Sequence, residues 1–324
     1  MLRRLGLALV LFACSGAPDD VASLEIEPRV TESAVHQGAG STDPLEHLKV
    51  IASPEADGRA TPSPGLQLAL NYVVAECKRA RLQGGLGPDT FEQPWTTSTG
   101  QHTSNLLALR PGSGAHASEI VMLSAHIDHL GHGFPGADDN GSGSAALLAI
   151  ANQLAGKPLD RTVAFLWTTG EERGLLGSAY FVEHPPASTP LASIAQEINL
   201  DAVGALDDTR FSFLSDETPH TQRATALMKE ANREMDRPFV RINEDLAAYT
   251  TRTDQYSFVK KRVPAVWVFE GLTNPSGGGS LMPRYHKATD TIDNLIADNG
   301  GSKIRRMTEM LARSVEKIAN APLD

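Results

Sequence analysis

Cysteine is scarce in this chain: Cys14 and Cys77 are the two that occur among 324 residues. A disulfide-based scaffold needs several pairs, so that class of fold is excluded. A surplus of basic residues is also missing, because 29 Lys and Arg stand against 39 Asp and Glu and give a formal charge of −10. Nucleic-acid binders normally present a basic face, so this balance argues against a nucleic-acid partner. The remaining composition, 41% hydrophobic, is that of a soluble globular protein.

A long apolar run is missing from the amino end. Two arginines precede the apolar stretch Leu5 to Ala13, which is far shorter than the ~20 residues of a transmembrane helix and has the layout of a signal peptide. The stretch ends at Cys14 in a sequence that resembles a bacterial lipobox, in which the cysteine receives a lipid; an ordinary cleaved secretory signal is the alternative. We therefore expect residues 1–13 to be a signal peptide, residues 14–42 a lipidated N-terminus with a flexible tether, and residues 43–324 one folded domain. The protein would be exported, either as a periplasmic or cell-surface lipoprotein or in secreted form.

Short apolar runs alternate with helical patterns from Asp43 onward, which is typical of α/β architecture. We expect a single domain with a central mixed, largely parallel β-sheet flanked by helices. The candidate strands are Thr90–Thr96, Ser104–Leu109, Ile120–Ser124, Val163–Thr168, Ile194–Leu200, Phe211–Leu214 and Ala265–Phe269. The candidate helices are Pro44–Ala52, Gly65–Leu82, Gly141–Leu154, Pro219–Met235, Asp254–Lys260 and Lys303–Ile318. Cys77 falls on the apolar face of the second helix and is expected to be a core residue.

Functional residues in such sheets collect at the carboxyl ends of the strands. Five strand ends or loops carry His, Asp or Glu: Ser124–Gly131, Gly136–Gly143, Thr169–Ser178, Asn199–Asp201 and Arg284–Thr291. In the first, His126 and Asp128 would point to the same side of an extended chain, which suits a metal-bound imidazole held by a carboxylate. In the third, one of the paired carboxylates Glu171 and Glu172 could bind metal while its neighbour acts as a base.

Each of these segments also has an ordinary structural explanation when it is taken alone. A His-x-Asp triplet is common by chance, and paired glutamates at a strand end are usually solvated. Asp139 or Asn140 could simply cap the helix that follows. The case for a functional site therefore depends on all five segments occurring together.

The five segments supply His, Asp, Glu, Asp and His in chain order, and this set resembles the co-catalytic di-zinc aminopeptidase family, which includes glutamate-carboxypeptidase-like and transferrin-receptor-like members. The resemblance covers about residues 43–318 and implies a zinc-peptidase domain with two Zn²⁺ ions per chain, other divalent metals being possible. The metal ligands that it implies are His126, Asp139, Glu172, Asp201 and His286. Asp139 would bridge the two ions. Glu171 would be the general base, Asp128 would orient His126, and Tyr285 would donate a hydrogen bond to the oxyanion.

The resemblance implies further details around these residues. Family members tend to have a cis peptide bond after the bridging aspartate, here Asp139–Asn140. Asp138 is less suited to the bridge, because the family's bridging aspartate directly precedes the residue at Asn140. Gln255 stands where the family often has a histidine, and Tyr249 is the alternative to Tyr285 as the oxyanion donor.

Four other polar residues are open to interpretation. We expect His129 and His132 to lie on the rim of the site. Asp254 could orient a ligand or bind substrate, or it could be a helix cap. Glu270 could meet a substrate ammonium group, or it could be a solvated loop acid.

The function implied is that of a metal-dependent exopeptidase. It would hydrolyse the N-terminal peptide bond of peptides with a free N-terminus, using a water shared by the two metals and Glu171 as base. A carboxypeptidase, a dipeptidase or a glutaminyl cyclase on the same scaffold is the alternative within enzymes. A receptor-like domain without catalysis is the alternative outside them; a solute-binding lipoprotein would leave the acid and histidine segments unexplained.

Overall fold

The structure is a computed structural model that describes residues 40–206, 208–243, 249–270 and 283–323. The expected signal peptide, Cys14 and the tether as far as residue 39 lie outside the described residues.

Nine strands of the described chain form one mixed sheet. Their bounds are β1 Gln83–Gly84, β2 Glu92–Thr96, β3 His102–Arg110, β4 Ile120–His126, β5 Thr162–Thr168, β6 Ile194–Leu200, β7 Arg210–Ser215, β8 Arg241–Asn243 and β9 Ala265–Phe269. The order across the sheet is β1-β3-β5-β4-β6-β9-β7-β8, with β2 paired to β3. The central strands β5, β4, β6 and β9 run parallel to one another, whereas β3 and β7 pair antiparallel to them at the two flanks. The expected mixed α/β fold is thus confirmed, with four parallel strands at its centre and a further parallel pair, β7 and β8, at one edge.

Helices cover both faces of this sheet. Their bounds are α1 Pro44–Ile51, α2 Pro64–Arg79, α3 Gly143–Gln153, α4 Leu176–Glu183, α5 Pro219–Arg233, α6 Gln255–Lys260, α7 Ile292–Asn299 and α8 Ser302–Asn320. The strand β4 shows how the sequence builds the two layers, because every one of its residues is buried. Val121 and Leu123 pack in the core that includes residues of α1, α3 and α8, while Ile120 and Met122 pack in a second core with Phe181. An alternating strand that is apolar on both faces needs helices on both sides.

The element bounds differ from the sequence-based expectation mainly at short elements. Each expected strand and helix is present, but β1, β8, α4 and α7 were not expected. The second helix ends at Arg79 and not at Leu82, because Arg81 adopts a left-handed conformation with φ 55° that ends the helical path. Cys77 is 1% exposed and lies in the core, as expected.

No helix among the described residues combines the length and the apolar character that a transmembrane span requires.

Candidate metal centre

Three parallel strands, β4, β5 and β6, end at the same edge of the sheet, and the candidate site residues lie at or just after their ends. β4 ends at His126, which pairs in register with Thr168 at the end of β5, and β6 ends just before Asp201. Glu171 follows β5 in the loop after Thr168. One ligand atom from each of His126, Glu171 and Asp201 lies within 4.8 Å of the others. The sheet register therefore assembles residues that are far apart in the sequence.

Asp139 lies between two histidines of the site. Its Oδ1 is 3.3 Å from Nε2 of His126, and its Oδ2 is 3.5 Å from Nε2 of His286. The neighbouring Asn140 takes over the capping interactions, since its Oδ1 accepts from the Gly143 N–H at 3.0 Å and its amide donates to the Leu200 carbonyl at 2.8 Å. Asp139 is thereby left for ligand binding, and the Asp139–Asn140 peptide bond is cis, as the resemblance implies.

Asp138 points away from this centre. Its Oδ1 accepts hydrogen bonds from the backbone N–H groups of Gly204 at 2.8 Å and Ala205 at 3.0 Å. Its carboxylate is therefore engaged in holding the 204–205 turn, which agrees with the choice of Asp139 as the bridging residue.

Glu172 contacts two histidines and belongs to a second group of candidate metal ligands. Its Oε1 lies 2.7 Å from Nδ1 of His129, and its Oε2 lies 2.9 Å from Nε2 of His286. His129, Asp139 and Glu172 bring one ligand atom each within 4.8 Å of one another. The expectation that His129 is a rim residue is wrong, because its side chain is 1% exposed and lies against Glu172. His132, by contrast, is on the surface, with its side chain 92% exposed.

Asp128 contacts both His126 and the loop of Glu171. Nδ1 of His126 lies 3.1 Å from the backbone oxygen of Asp128 and 3.8 Å from its Oδ1. The same Oδ1 accepts a hydrogen bond from the backbone N–H of Glu171 at 3.2 Å. The closer contact of the imidazole is thus with the backbone, and the carboxylate positions the glutamate loop.

The charges of the site need positive counterparts. Burial raises the pKa of Glu171 well above its usual range, and burial together with the Asp139 charge raises the pKa of Glu172 to about 8. Burial opposes the charged form of His126, but the carboxylates of Asp201 and Glu171 outweigh it and raise its pKa. So many buried carboxylates at one place cannot all be ionised unless cations accompany them.

The ligand atoms themselves fit divalent metal ions. Nε2 of His129 is buried without a hydrogen-bond partner. Four more buried atoms face an oppositely charged group at 2.7–3.5 Å without forming a hydrogen bond of good geometry: Nδ1 of His129, Oδ2 of Asp139, Oε1 of Glu172 and Nε2 of His286. Buried polar atoms are normally paired, so atoms left unpaired and aimed at one another indicate a missing ligand. A set of imidazole nitrogens and carboxylate oxygens is typical of zinc sites.

A buried arginine holds two loops of the centre in place. Arg59 is fully buried, and its guanidinium donates to the carbonyls of Ile127 at 2.7 Å, Ile51 at 3.0 Å, Pro135 at 2.8 Å and Gly136 at 2.8 Å. Burial lowers its pKa to about 10, so the guanidinium stays charged at neutral pH. Arg59 therefore connects the His126 loop with the loop that leads into Asp139. It was missed in the sequence, where an arginine in a loop suggests an exposed residue.

Three acids and Gln255 lie around the centre without entering it. Asp254 is fully buried and accepts a hydrogen bond from the hydroxyl of Thr168, so it orients the end of β5 and does not cap α6 with its side chain. Glu270 is 1% exposed, which excludes the alternative of a solvated loop acid, and it lines a small cavity together with Asp138, Asp139 and Asp290. The amide of Gln255 donates to the Thr250 carbonyl at 3.1 Å, which turns this side chain toward its own loop. Asp290 accepts a hydrogen bond from the backbone N–H of Asp139 at 3.1 Å.

A cavity opens directly above the metal ligands. Besides His126, Asp139, Glu171 and Asp201, it is lined by Tyr249, Arg252, Trp267, Phe269 and Tyr285, among others. The rings of Trp267 and Phe269 pack together with centroids 4.8 Å apart. Tyr285 stacks on His286 with centroids 3.7 Å apart and is 36% exposed. Both tyrosines considered as oxyanion donors thus line the same cavity.

A family sequence profile matches residues 105–313, more than half of the chain, and that profile describes peptidase family M28. The chain belongs to peptidase family M28. The match begins at β3, so the helices α1 and α2 and the segment with Arg59 precede the matched region of this M28 chain.

Two relatives show how far the similarity extends along the sequence. Leucine aminopeptidase 2 of Trichophyton equinum is 30% identical over 236 residues, which cover 68% of this chain and 45% of the relative. The "Probable lipoprotein aminopeptidase LpqL" of Mycobacterium tuberculosis is 28% identical over 66% of this chain and 46% of its own length. This M28 chain thus spans about half the length of these relatives.

Solved structures share the fold at lower identity. The LapA aminopeptidase of Legionella pneumophila matches with a TM-score of 0.65 and 19% identity, covering 94% of this chain and 78% of LapA. A Zn-dependent exopeptidase from Parabacteroides distasonis matches with a TM-score of 0.66 and 16% identity, covering 86% of this chain and all of that protein. These matches agree with the mixed α/β fold described above.

Proposed function

We propose that this chain is a metal-dependent aminopeptidase, which hydrolyses the N-terminal peptide bond of peptides with a free N-terminus. The observation that carries the proposal is the position of Asp139. One of its carboxylate oxygens faces His126 and the other faces His286, and these two histidines lie on opposite sides of it. Asp139 therefore adjoins both groups of candidate ligands, the one with His126 and Asp201 and the one with His129 and Glu172. Aminopeptidases among the relatives support the same activity.

Two Zn²⁺ ions per chain would be held by this site. His126 and Asp201 would hold one ion, Glu172 and His286 the other, and Asp139 would be shared. His129 contacts Glu172 directly and would orient that carboxylate or add to the second ion's ligands. Zinc bound there would polarise the scissile carbonyl and lower the pKa of the attacking water.

Glu171 would move the proton. Its carboxylate lies beside His126 and Asp201, and burial raises its pKa, which makes it a stronger base than an exposed glutamate. The same carboxyl group would then give that proton to the departing amine. Asp128, which accepts from the Glu171 backbone N–H, would keep the base in place.

Tyr285 would stabilise the oxyanion by donating a hydrogen bond from its hydroxyl group. Burial raises the pKa of this phenol, so the proton needed for donation is retained at neutral pH. Tyr249 lines the same cavity and is the alternative donor. The acids of the site would meet the free α-amino group of the peptide.

Export as a lipoprotein is a separate part of the proposal. A relative that is described as a lipoprotein aminopeptidase supports it, as does the sequence around Cys14. Metabolic labelling with a fatty acid would test it, since a Cys14→Ala variant that still carries label would contradict lipidation at this position.

The activity is tested with two leucine substrates that differ at the amino group. We expect the purified protein to hydrolyse leucine p-nitroanilide and to leave N-acetyl-leucine p-nitroanilide intact. Metal analysis of the same preparation should approach two divalent ions per chain, and chelation should abolish hydrolysis until zinc is restored. Cleavage of the acetylated substrate would contradict an aminopeptidase. So would activity that is confined to carboxypeptidase substrates, or to the cyclisation of N-terminal glutamine.

A further inference from the structure

We propose that Arg252 binds a carboxylate group of the substrate. The inference rests on the proposed aminopeptidase function and names a chemical class of peptide that the site accepts. Its basis is the position of this guanidinium in the cavity, its surroundings, and the charges that it faces.

Arg252 lies at the cavity above the metal ligands. Its side chain lines the same cavity as His126, Glu171 and Asp201, and it is exposed to solvent. Its backbone N–H donates to the carbonyl of Tyr249 at 3.0 Å, so a tight turn presents the side chain. An exposed charge at the edge of the cavity can meet a ligand without first being released from the protein.

Among the residues that the structure describes, the guanidinium has no carboxylate partner. Its one recorded contact among the described residues is with the ring of Tyr249, whose centroid lies 5.8 Å from Cζ. Other arginines of the chain have acidic partners: Arg161 pairs with Glu119, and Arg284 pairs with Asp298. A guanidinium that stacks on an aromatic face keeps its fork of N–H donors free for a planar anion.

The charges that line the cavity explain why this position matters. The other ionisable lining groups are His126, the acids Asp139, Glu171 and Asp201, and the two tyrosines. The proposed metal ions offset these acids, so Arg252 is the positively charged side chain of this lining that stays available to a substrate carboxylate. Arg252 supplies that cation, and carboxylates pair with guanidinium through two parallel hydrogen bonds.

Two parts of a peptide could provide the carboxylate. One is the C-terminus of a very short peptide, which comes close to the site when few residues follow the scissile bond. The other is the side chain of an acidic first residue. The chemistry at Arg252 is the same in both cases, and matched substrates separate them.

The experiment measures kcat/KM for two pairs of substrates in which a carboxylate is replaced by an amide. The first pair is Leu-Gly-Gly and its C-terminal amide. The second pair is glutamate p-nitroanilide and glutamine p-nitroanilide. Leucine p-nitroanilide, which has no carboxylate, reports the basal activity.

The variants are Arg252→Gln, Arg252→Lys and the control Arg313→Gln. Arg313 is an exposed arginine of α8 that pairs with Glu309, away from the cavity. We expect Arg252→Gln to lower the carboxylate-to-amide ratio of kcat/KM about five- to tenfold in at least one pair, chiefly through KM, which is the range for a partly exposed charged contact. Arg252→Lys should retain part of the preference, while the control and the hydrolysis of leucine p-nitroanilide should be unchanged.

The outcomes are distinct. A loss confined to the first pair assigns the C-terminal carboxylate of short peptides, and a loss confined to the second assigns an acidic first residue. Equal ratios in the wild type and in Arg252→Gln for both pairs would overturn the inference while leaving the aminopeptidase intact. If the wild type hydrolyses neither leucine p-nitroanilide nor the amides, the proposed function fails and this inference falls with it.

Discussion

The carboxylate of Asp290 accepts a hydrogen bond from the backbone N–H of Asp139, with 3.1 Å between Oδ2 and the nitrogen. It also accepts from the N–H of Asp138 at 3.0 Å, and Asp290 follows His286 by four residues in the sequence. The segment that carries His286 therefore also fixes the backbone of Asp139, the proposed bridging residue. Asp290 is 2% exposed, so bulk water does not reach these two hydrogen bonds.

We predict that Asp290→Ala weakens metal binding and stability together. The change leaves two buried N–H groups unpaired, which costs about 1–3 kcal/mol each, and loss of such a supporting contact typically lowers metal affinity about 10–100-fold. Zinc competition with a chromogenic chelator measures the affinity, and denaturant unfolding measures the stability. The exposed Asp236→Asn is the control, and an Asp290→Ala protein with wild-type zinc affinity would contradict a positioning role.

Replacement of Arg59 tests the connection between the two site loops. We expect Arg59→Met to lower the free energy of unfolding by about 3 kcal/mol or more, because the buried carbonyls of Ile127, Pro135 and Gly136 lose their charged donor. Arg59→Lys should restore part of the stability, because the ammonium group keeps the positive charge and three donors. The restoration should be incomplete, because one ammonium group cannot reach both loops as the guanidinium does. Urea midpoints of the two variants, beside Arg313→Met as a surface control, give the comparison. Equal midpoints for Arg59→Met and the control would show that the guanidinium does not hold these loops.

His47 predicts a pH dependence that is independent of the metals. Its ring is fully buried, with Nδ1 2.8 Å from the Tyr72 hydroxyl and Nε2 2.9 Å from the Ser41 carbonyl. Burial lowers its pKa below the ordinary value of about 6.5. The unfolded chain then binds a proton below about pH 6.5 that the folded chain does not, so this contribution to stability is present at higher pH and is lost as the pH falls.

The measurement is the difference in unfolding free energy between the wild type and His47→Gln across pH 5 to 8. We expect the advantage of the wild type to shrink below about pH 6.5, by at most about 1.4 kcal/mol per pH unit. The exposed His102→Gln should show no such trend. A difference that stays constant across the range would contradict a buried neutral imidazole.

Sequence reasoning succeeded where the local pattern and the tertiary structure agree. The run that ends at His126 is short and mostly apolar, whereas the one that ends at Leu200 mixes apolar residues with buried Gln196, Glu197 and Asn199; both are buried strands. Their acids and histidines follow directly, so the edge of the parallel sheet could be predicted as the place of the site. The three-residue strand β8 is too short to carry a pattern, and the apolar residues of α4 are spread around the helix and do not form a stripe.

The missed residues of the site depend on long-range contacts. Nothing local distinguishes His129, which is buried against Glu172, from the exposed His132 three residues later. Arg59 donates across 68 residues to Ile127, and this distance in the sequence hides the contact. Asp290 had a usable signal, because it stands in the same short segment as His286.

The central claim is that Glu171 moves a proton at a metal centre that it does not hold together. The most direct measurement is kcat of Glu171→Gln on leucine p-nitroanilide, in protein whose zinc content is determined in the same preparation, with the exposed Glu183→Gln as control. We predict wild-type zinc content and a loss of about 10²–10⁴-fold in kcat, the range for removal of a general base. Wild-type kcat at full zinc content would contradict the account, and loss of the zinc would show that Glu171 is a ligand and not the base.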